Sequence, residues 1–452
     1  MSKILRHPTA PPAKGPDDPR YFDPVDLESE LKRAFQICHE CRMCVGYCGS
    51  FPTLFERVDR DIESRRAEGA EKIQEADVRA VSDACWQCKL CYIKCPYTED
   101  EGAPELLDFP RLMARERAVR VHQEGIPLTD ILLGEPQLLG KLSSGPMAKA
   151  TNFVFANRLL RKVQEVAAGI SAEFPLPTFA EQPFPQWMKA HAKSSAALAP
   201  RQGEVVLFAT CYGDFNTPAT ARAAVRVLEH NGYRVRYPGT GEDSKSSSLT
   251  CCGLPNIDGG NLSAAREKIE HNVAILIEHV KAGRKIVVLG PSCGYMMKKE
   301  WPEYLPTEEV KQVSAATLDV MEFLVVLGKE KRLVREFQGG LGTVAYHAPC
   351  HLRAQKIGFP GQRVLNVIPD TDVRMVEHCS AVDGTWGMKA QHYETGRRYA
   401  QKLIANVKHL EPDLVVSDCS LAGLRITHET SQPVLHPIQA LARAYGLRDE
   451  GT

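Results

Sequence analysis

Cys38-His39-Glu40-Cys41-Arg42-Met43-Cys44-Val45-Gly46-Tyr47-Cys48 and Cys85-Trp86-Gln87-Cys88-Lys89-Leu90-Cys91-Tyr92-Ile93-Lys94-Cys95-Pro96 are one spacing written twice, with cysteines separated by two, two and three residues. Three thiolates at this spacing wrap one face of a cubane, because tight turns aim alternate sulfurs at a common centre. The fourth points away and, in chains with two clusters, ligates the neighbour. The spacing therefore pairs Cys38, Cys41 and Cys44 with Cys95, and Cys85, Cys88 and Cys91 with Cys48. Zinc sites favour separated C-x2-C pairs over a four-cysteine run, and disulfides do not need a doubled spacing. Two [4Fe–4S] clusters are expected. Pro96 follows the second run directly, whereas Gly49-Ser50-Phe51-Pro52 follows the first. The 36 residues between Cys48 and Cys85 hold charged, helix-favouring sequence from Glu56 to Arg79, which reads as a helical insertion.

The chain has 452 residues, long enough for two to four domains. Hydrophobic content of 43% and charged content of 25% are ordinary for a soluble globular protein. Lys plus Arg equals Asp plus Glu at 56 each, so no basic field points to nucleic acid. Residues 1–20 are proline-rich and lack the apolar core of a signal peptide, and no apolar run has the length of a membrane span. The fifteen cysteines thus read as a reduced, cytoplasmic, metal-binding inventory.

Residues 1–20 read as a flexible leader, and Leu27–Gln36 as a helix entering the first cysteine run. The two-cluster module is expected over 21–125, closing with a helix at Leu106–Val121 that packs on the cluster core. Residues 126–200 read as a helical and extended linker. Thr151–Ile170 there is an amphipathic helix, read as interdomain packing in preference to a membrane face. Phe174–Trp187 reads as extended because of its prolines. From residue 203, strands and helices alternate: Glu204–Ala209, Tyr233–Tyr237, Lys285–Gly290, Thr343–His347, Arg374–His378 and Asp413–Ser417 read as strands. Such alternation argues for parallel α/β layers. Cysteines recur at the strand ends of both halves, so the pattern predicts a duplication with halves at 201–335 and 336–452.

The first half carries Cys211, the doubled Cys251-Cys252 before Gly253, and Cys293. Loops at the carboxyl ends of strands in open α/β folds converge in space, so these distant thiols can meet. A glycine after the doubled cysteine lets backbone approach a cofactor. Scattered buried thiols are the structural alternative.

T-C-C-G-L-P (250–255), P-S-C-G (291–294), H-A-P-C-H (347–351) and G-T-W-G-M-K (384–389), downstream of eight ferredoxin-type cysteines, resemble the CCG-domain iron–sulfur proteins. That family includes chains like the B and C components of heterodisulfide reductase and the C component of anaerobic glycerol-3-phosphate dehydrogenase. Glycolate oxidase and lactate-utilisation iron–sulfur components are related. The resemblance implies an α+β, multidomain fold: a helical two-cluster ferredoxin-like domain, then two duplicated α/β cysteine-rich (CCG) domains. It also implies electron transfer between a flavin dehydrogenase or other redox protein and a quinone or disulfide acceptor.

Against the family's five-cysteine pattern, Met296 stands where the first half would complete a terminal C-x2-C, leaving Cys211, Cys251, Cys252 and Cys293. Four thiolates suffice for a third iron–sulfur cluster or a zinc. In the second half Ser380, Ala381 and Ala422 replace motif residues, leaving Cys350, Cys379 and Cys419 beside His347, His351, His378 and His436. Three thiolates with one imidazole, His351 foremost, could hold zinc or iron; loss of the metal with retention of the fold is the equal alternative. No G-x-G-x-x-G follows a strand, so no flavin or nicotinamide of its own is expected. The reading is an electron-transfer component of an oxidoreductase, cytoplasmic or peripheral on the inner face of a membrane. Its rivals are an enzyme reducing a disulfide at the first-half thiols and a zinc-stabilised docking scaffold.

Overall fold

In the computed structural model of the chain, residues 6–195, 200–243, 246–382 and 384–447 are described. The chain forms two compact units, Met1–Asp130 with Pro255–Ala265, and Ile131–Leu254 with Arg266–Thr452.

The first unit is helical. Helix α1 (Pro24–Cys41) starts where the Asp23 carboxylate accepts the Val25 N–H and Pro24 presets the first turn. Its expected apolar stripe, Leu27, Leu31, Ala34 and Phe35, is buried. The stretch expected as a helical insertion is divided between α2 (Ser50–Glu63) and α3 (Glu75–Asp83), with a single 3-10 turn at Ala70–Lys72 between them. After α4 (Leu90–Lys94), helix α5 (Phe109–Glu124) is capped by Asp108. Phe51 of α2 meets Phe109 of α5 at 4.7 Å, and Phe35 of α1 meets the same ring at 6.1 Å, which ties the three helices together. Of the expected leader, residues 1–5 lie outside the described residues. The remainder is fastened down: Arg33 donates to the Arg6 carbonyl (2.9 Å), Arg20 to the Pro11 carbonyl (2.9 Å), and Ala13 is buried. Proline-rich backbone forms few hydrogen bonds of its own, so arginine side chains satisfy its carbonyls.

The second unit holds two four-stranded parallel sheets. Strands β1 (Gly203–Phe208), β2 (Tyr233–Arg236), β3 (Lys285–Val288) and β4 (Thr317–Asp319) lie in the order β2-β1-β3-β4. Strands β5 (Gly342–His347), β6 (Thr371–Val376), β7 (Leu414–Ser417) and β8 (Val434–Leu435) lie in the order β6-β5-β7-β8. The two orders match, which is the expected duplication. Helices cover both faces, so central strands such as β7 are buried throughout. One core runs through both halves, joining Leu207, Val287 and Leu324 to Val344, Val416 and Leu441.

Residues 174–183 are without helix, as expected, but the extended reading fails from Phe184 onward. Helix Phe184–Ser195 begins there, and Phe184 and Met188 enter the core. Thr151–Ile170 is two helices, Ala148–Ala156 and Arg158–Ala168. The break is at Asn157, whose side chain accepts the N–H groups of Leu159 and Leu160 and so starts the second. The preferred reading of this stretch as interdomain packing does not hold for its apolar face: Leu159, Val163 and Val166 are 79%, 64% and 90% exposed. Its inner side is anchored by buried Arg161, which donates to the Ser171 and Phe174 carbonyls. Among the described residues, no helix is long and apolar enough to cross a membrane.

Candidate metal centres

Cys38 and Cys41 end α1, where Arg42 takes a left-handed conformation (φ 50°) and turns the chain toward Cys44. Cys95 caps the end of α4. These four thiols line one cavity with Ile37, Phe51, Pro96 and Leu107. Burial, followed by the charges of Cys95, Cys44 and Cys41, pushes the Cys38 thiol well up. Burial and then Cys95 and Cys41 push Cys44 up to about 12.

Cys48, directly before α2, feels Cys85 and Cys88, and Cys91 feels Cys88, Cys48 and Cys85. Burial is the first cause in both and raises both thiols well above their ordinary range. Gln87 (φ 59°) and Lys89 (φ 62°), on either side of Cys88, are both left-handed, which reverses the chain twice and brings Cys85, Cys88 and Cys91 together. Such a conformation costs about 1–2 kcal/mol in a residue with a Cβ. Cys91 also feels Cys44, so the two quartets are neighbours. Cys48, Cys85, Cys88 and Cys91 are all buried, while Cys41, Cys44 and Cys95 are partly open.

These donors fit iron–sulfur clusters. Buried thiols that oppose one another's ionisation call for a cationic core, and loading it releases their protons.

In the second unit Cys211 lies on the short helix after β1, and Cys293 on the one after β3. The Cys251-Cys252 loop is clamped from both sides by buried groups. Asn272 accepts the Thr250 N–H (2.9 Å) and donates to the Cys251 carbonyl (3.1 Å), and the Trp301 indole donates to the Cys252 carbonyl (3.0 Å). Gly253 has φ 91°, a conformation for which glycine carries no Cβ penalty. Cys251 interacts with both Cys211 and Cys252, and Cys252 also with Cys293; these contacts lower Cys251 and, together with burial, raise Cys211 and Cys252. All four predicted first-half thiols are thus linked, sulfur to sulfur. Neither clamp residue was foreseen: an Asn within a long helix and a Trp at a helix start carry no local signal for a contact made across the fold.

The second half repeats the backbone with different chemistry. Cys350 begins the helix after β5, Cys379 follows β6, and Cys419 caps the helix Ser420–Thr430. Ala381 is left-handed (φ 49°) where the first half has Gly253, and its N–H points at the Cys379 sulfur (3.2 Å). Two of the predicted histidines are used structurally. His347 bonds Ser417 Oγ (2.9 Å) and the His378 carbonyl (3.1 Å), and His436 bonds the Leu289 carbonyl (3.0 Å) and the Ile438 N–H (3.1 Å). Burial lowers both to about 4, so both rings are neutral. His378 is exposed. His351 Nδ1 bonds Ser292 Oγ (2.9 Å) and its ring stacks on Tyr295 at 5.3 Å, so it faces the segment that carries Cys293. Desolvation, then the charges of Cys419 and Cys211, push the Tyr212 hydroxyl up, so it lies near both strand-end regions. Among the described residues no three His, Cys, Asp or Glu side chains close around a single metal ion.

Comparison with known proteins agrees with this architecture. Residues 37–100 match the 4Fe-4S dicluster domain, and residues 205–298 and 344–426 each match the cysteine-rich domain CCG. The chain is 25% identical over 413 residues to the C component of the anaerobic glycerol-3-phosphate dehydrogenase of Escherichia coli (strain K12), covering 91% of this chain and 98% of that one. It is 28% identical over 258 residues to the D component of the dihydromethanophenazine:CoB–CoM heterodisulfide reductase of Methanosarcina mazei, covering 54% of this chain and 60% of that one. Lactate utilization protein A of Exiguobacterium sp. is 27% identical over 196 residues, 41% of this chain and 74% of that one. A 4Fe-4S dicluster domain ahead of two CCG cysteine-rich domains is the make-up of an iron–sulfur electron-transfer component of an oxidoreductase.

Proposed function

We propose that this chain relays electrons between a flavin-dependent dehydrogenase or similar redox protein and a quinone or other acceptor. The observation that carries the reading is the pair of adjacent thiol quartets, Cys38, Cys41, Cys44 and Cys95 beside Cys48, Cys85, Cys88 and Cys91. Each quartet would hold one [4Fe–4S] cluster, and Cys211, Cys251, Cys252 and Cys293 a third iron–sulfur centre. When bound, such clusters supply reversible one-electron storage at a potential set by charge, hydrogen bonds to sulfur and exposure. The chain's own residues orient and insulate: Gln87 and Lys89 set the second loop, Asn272 and Trp301 hold the doubled cysteine, and burial excludes water. Cys350, Cys379 and Cys419 would take at most a supporting zinc or iron, because two second-half histidines are already committed to hydrogen bonds. The burial of Cys251 and Cys252 favours relay over direct attack on a disulfide substrate.

The exposed row Leu159, Val163 and Val166, on a helix that also exposes Arg158 and Lys162, supports a peripheral position on an anionic membrane surface, where a quinone is available. Flotation with anionic vesicles tests this, and Val163→Glu with Val166→Glu should abolish it while leaving the fold intact. The relay itself is tested by stopped-flow mixing of the reduced protein with a soluble quinone analogue or with an oxidised flavoprotein. Recovery of cluster absorbance is expected with at least one. Recovery with neither defeats the proposal.

A further inference from the structure

The second quartet is the more deeply buried, and burial alone opposes the added negative charge of a reduced cluster. Among the described residues, its surroundings carry a lysine-backed amide that reaches a sulfur, whereas the first quartet has the charge of buried Arg33 acting on Cys38. Lys89 is 4% exposed, and its ammonium donates to Gln87 Oε1 (2.8 Å). Gln87 is 1% exposed, and its Nε2 donates toward Cys85 Sγ (3.5 Å). A third buried group, Arg117, bonds the carbonyls of Ser82, Cys85 and Asp258, which places a permanent positive charge at the Cys85 backbone. A cation behind the amide polarises it and strengthens its N–H···S bond. Cations and N–H···S bonds both stabilise the more negative, reduced state of a cluster.

We propose that the Lys89–Gln87 relay, backed by Arg117, selectively raises the reduction potential of the cluster held by Cys48, Cys85, Cys88 and Cys91. These are positioning residues, because they act through the thiolate of Cys85. The left-handed turns at Gln87 and Lys89 serve this end too: they bend the loop so that its own side chains reach back to its own sulfur. The inference rests on the reading that this quartet holds a cluster. An iron and acid-labile sulfide count on each variant therefore separates failure of that reading from failure of this one.

The test is an EPR-monitored redox titration of the anaerobically purified full chain, its Lys89→Met and Gln87→Leu variants, and a Lys89→Arg control. With iron content unchanged, Lys89→Met and Gln87→Leu should each lower the reduction equilibrium of the second cluster about tenfold, which is ~59 mV for a one-electron couple. The first cluster should not move, and Lys89→Arg should stay near the parent value. Unchanged potentials, or equal shifts in both clusters, would overturn the proposal. Loss of the second cluster from both variants would also overturn it, by assigning the relay to assembly.

Discussion

Asn272→Ala tests whether the doubled cysteine is held by the clamp described above. Asn272 is fully buried; its Oδ1 accepts the Thr250 N–H at 2.9 Å, and its Nδ2 reaches the Thr250 carbonyl (3.3 Å) and the Cys251 carbonyl (3.1 Å). Truncation strands at least the Thr250 N–H and the Cys251 carbonyl, at about 1–3 kcal/mol each for a buried group without its partner. A small cavity adds to this, so the second unit should lose about 3–5 kcal/mol. The functional effect should be local. The Cys251-Cys252 loop loses its fixed position, and the third EPR-active centre is lost or broadened while the two centres of the first unit persist. Asn272→Asp separates geometry from volume, because it keeps the acceptor for Thr250 and removes the donor to Cys251. With a carboxyl oxygen set against the Thr250 and Cys251 carbonyls, it should disturb the third centre without opening a cavity, and its stability loss should be no smaller than that of Asn272→Ala. Urea unfolding with EPR of the same samples reads both quantities. A change in stability below about 1 kcal/mol with an intact third signal in Asn272→Ala would refute the clamp.

Cys95→Ser should damage the cluster of the first cysteine run more than that of its own run; EPR showing the reverse would refute the cross-pairing. Cys252→Ser should abolish one EPR-active centre and transfer to the acceptor, whereas Cys379→Ser should act mainly on stability. Loss of an iron–sulfur signal only in Cys379→Ser would mean that the redox half is wrongly assigned. His436 titrates near 4 in the fold against 6.5 in the unfolded chain, so only the unfolded state takes up its proton between those values and stability is lost as pH falls through that window. Between pH 6.5 and 5 this amounts to about 1.6 kcal/mol, which His436→Gln should remove from the parent's pH profile in urea titrations.

The cysteine spacing, the parallel strands and the duplication were legible because each leaves a local mark: thiols at fixed intervals, or apolar runs bounded by turns. Strands β4 and β8, of three and two residues, are too short to show alternation and are defined by the neighbours they pair with. The break at Asn157 was hidden inside a continuous helical period, although an Asn is a natural cap once a break is suspected. The exposed row on the following helix could not be assigned from periodicity, which says that residues share a face and not what covers it. His347 and His436 stood as possible ligands beside His351 because both lie near strand ends, as the second-half cysteines do. Their hydrogen bonds to Ser417, to the His378 carbonyl and to the Leu289 carbonyl are made across the fold, and only three dimensions reveal them.

The central claim is an iron–sulfur relay, and its most direct test is the metal and sulfide content of the anaerobically purified chain. The account predicts about eight irons and eight acid-labile sulfides from the two quartets, with about four more of each from the Cys211, Cys251, Cys252 and Cys293 centre. Zinc in place of iron, with no acid-labile sulfide, would contradict it.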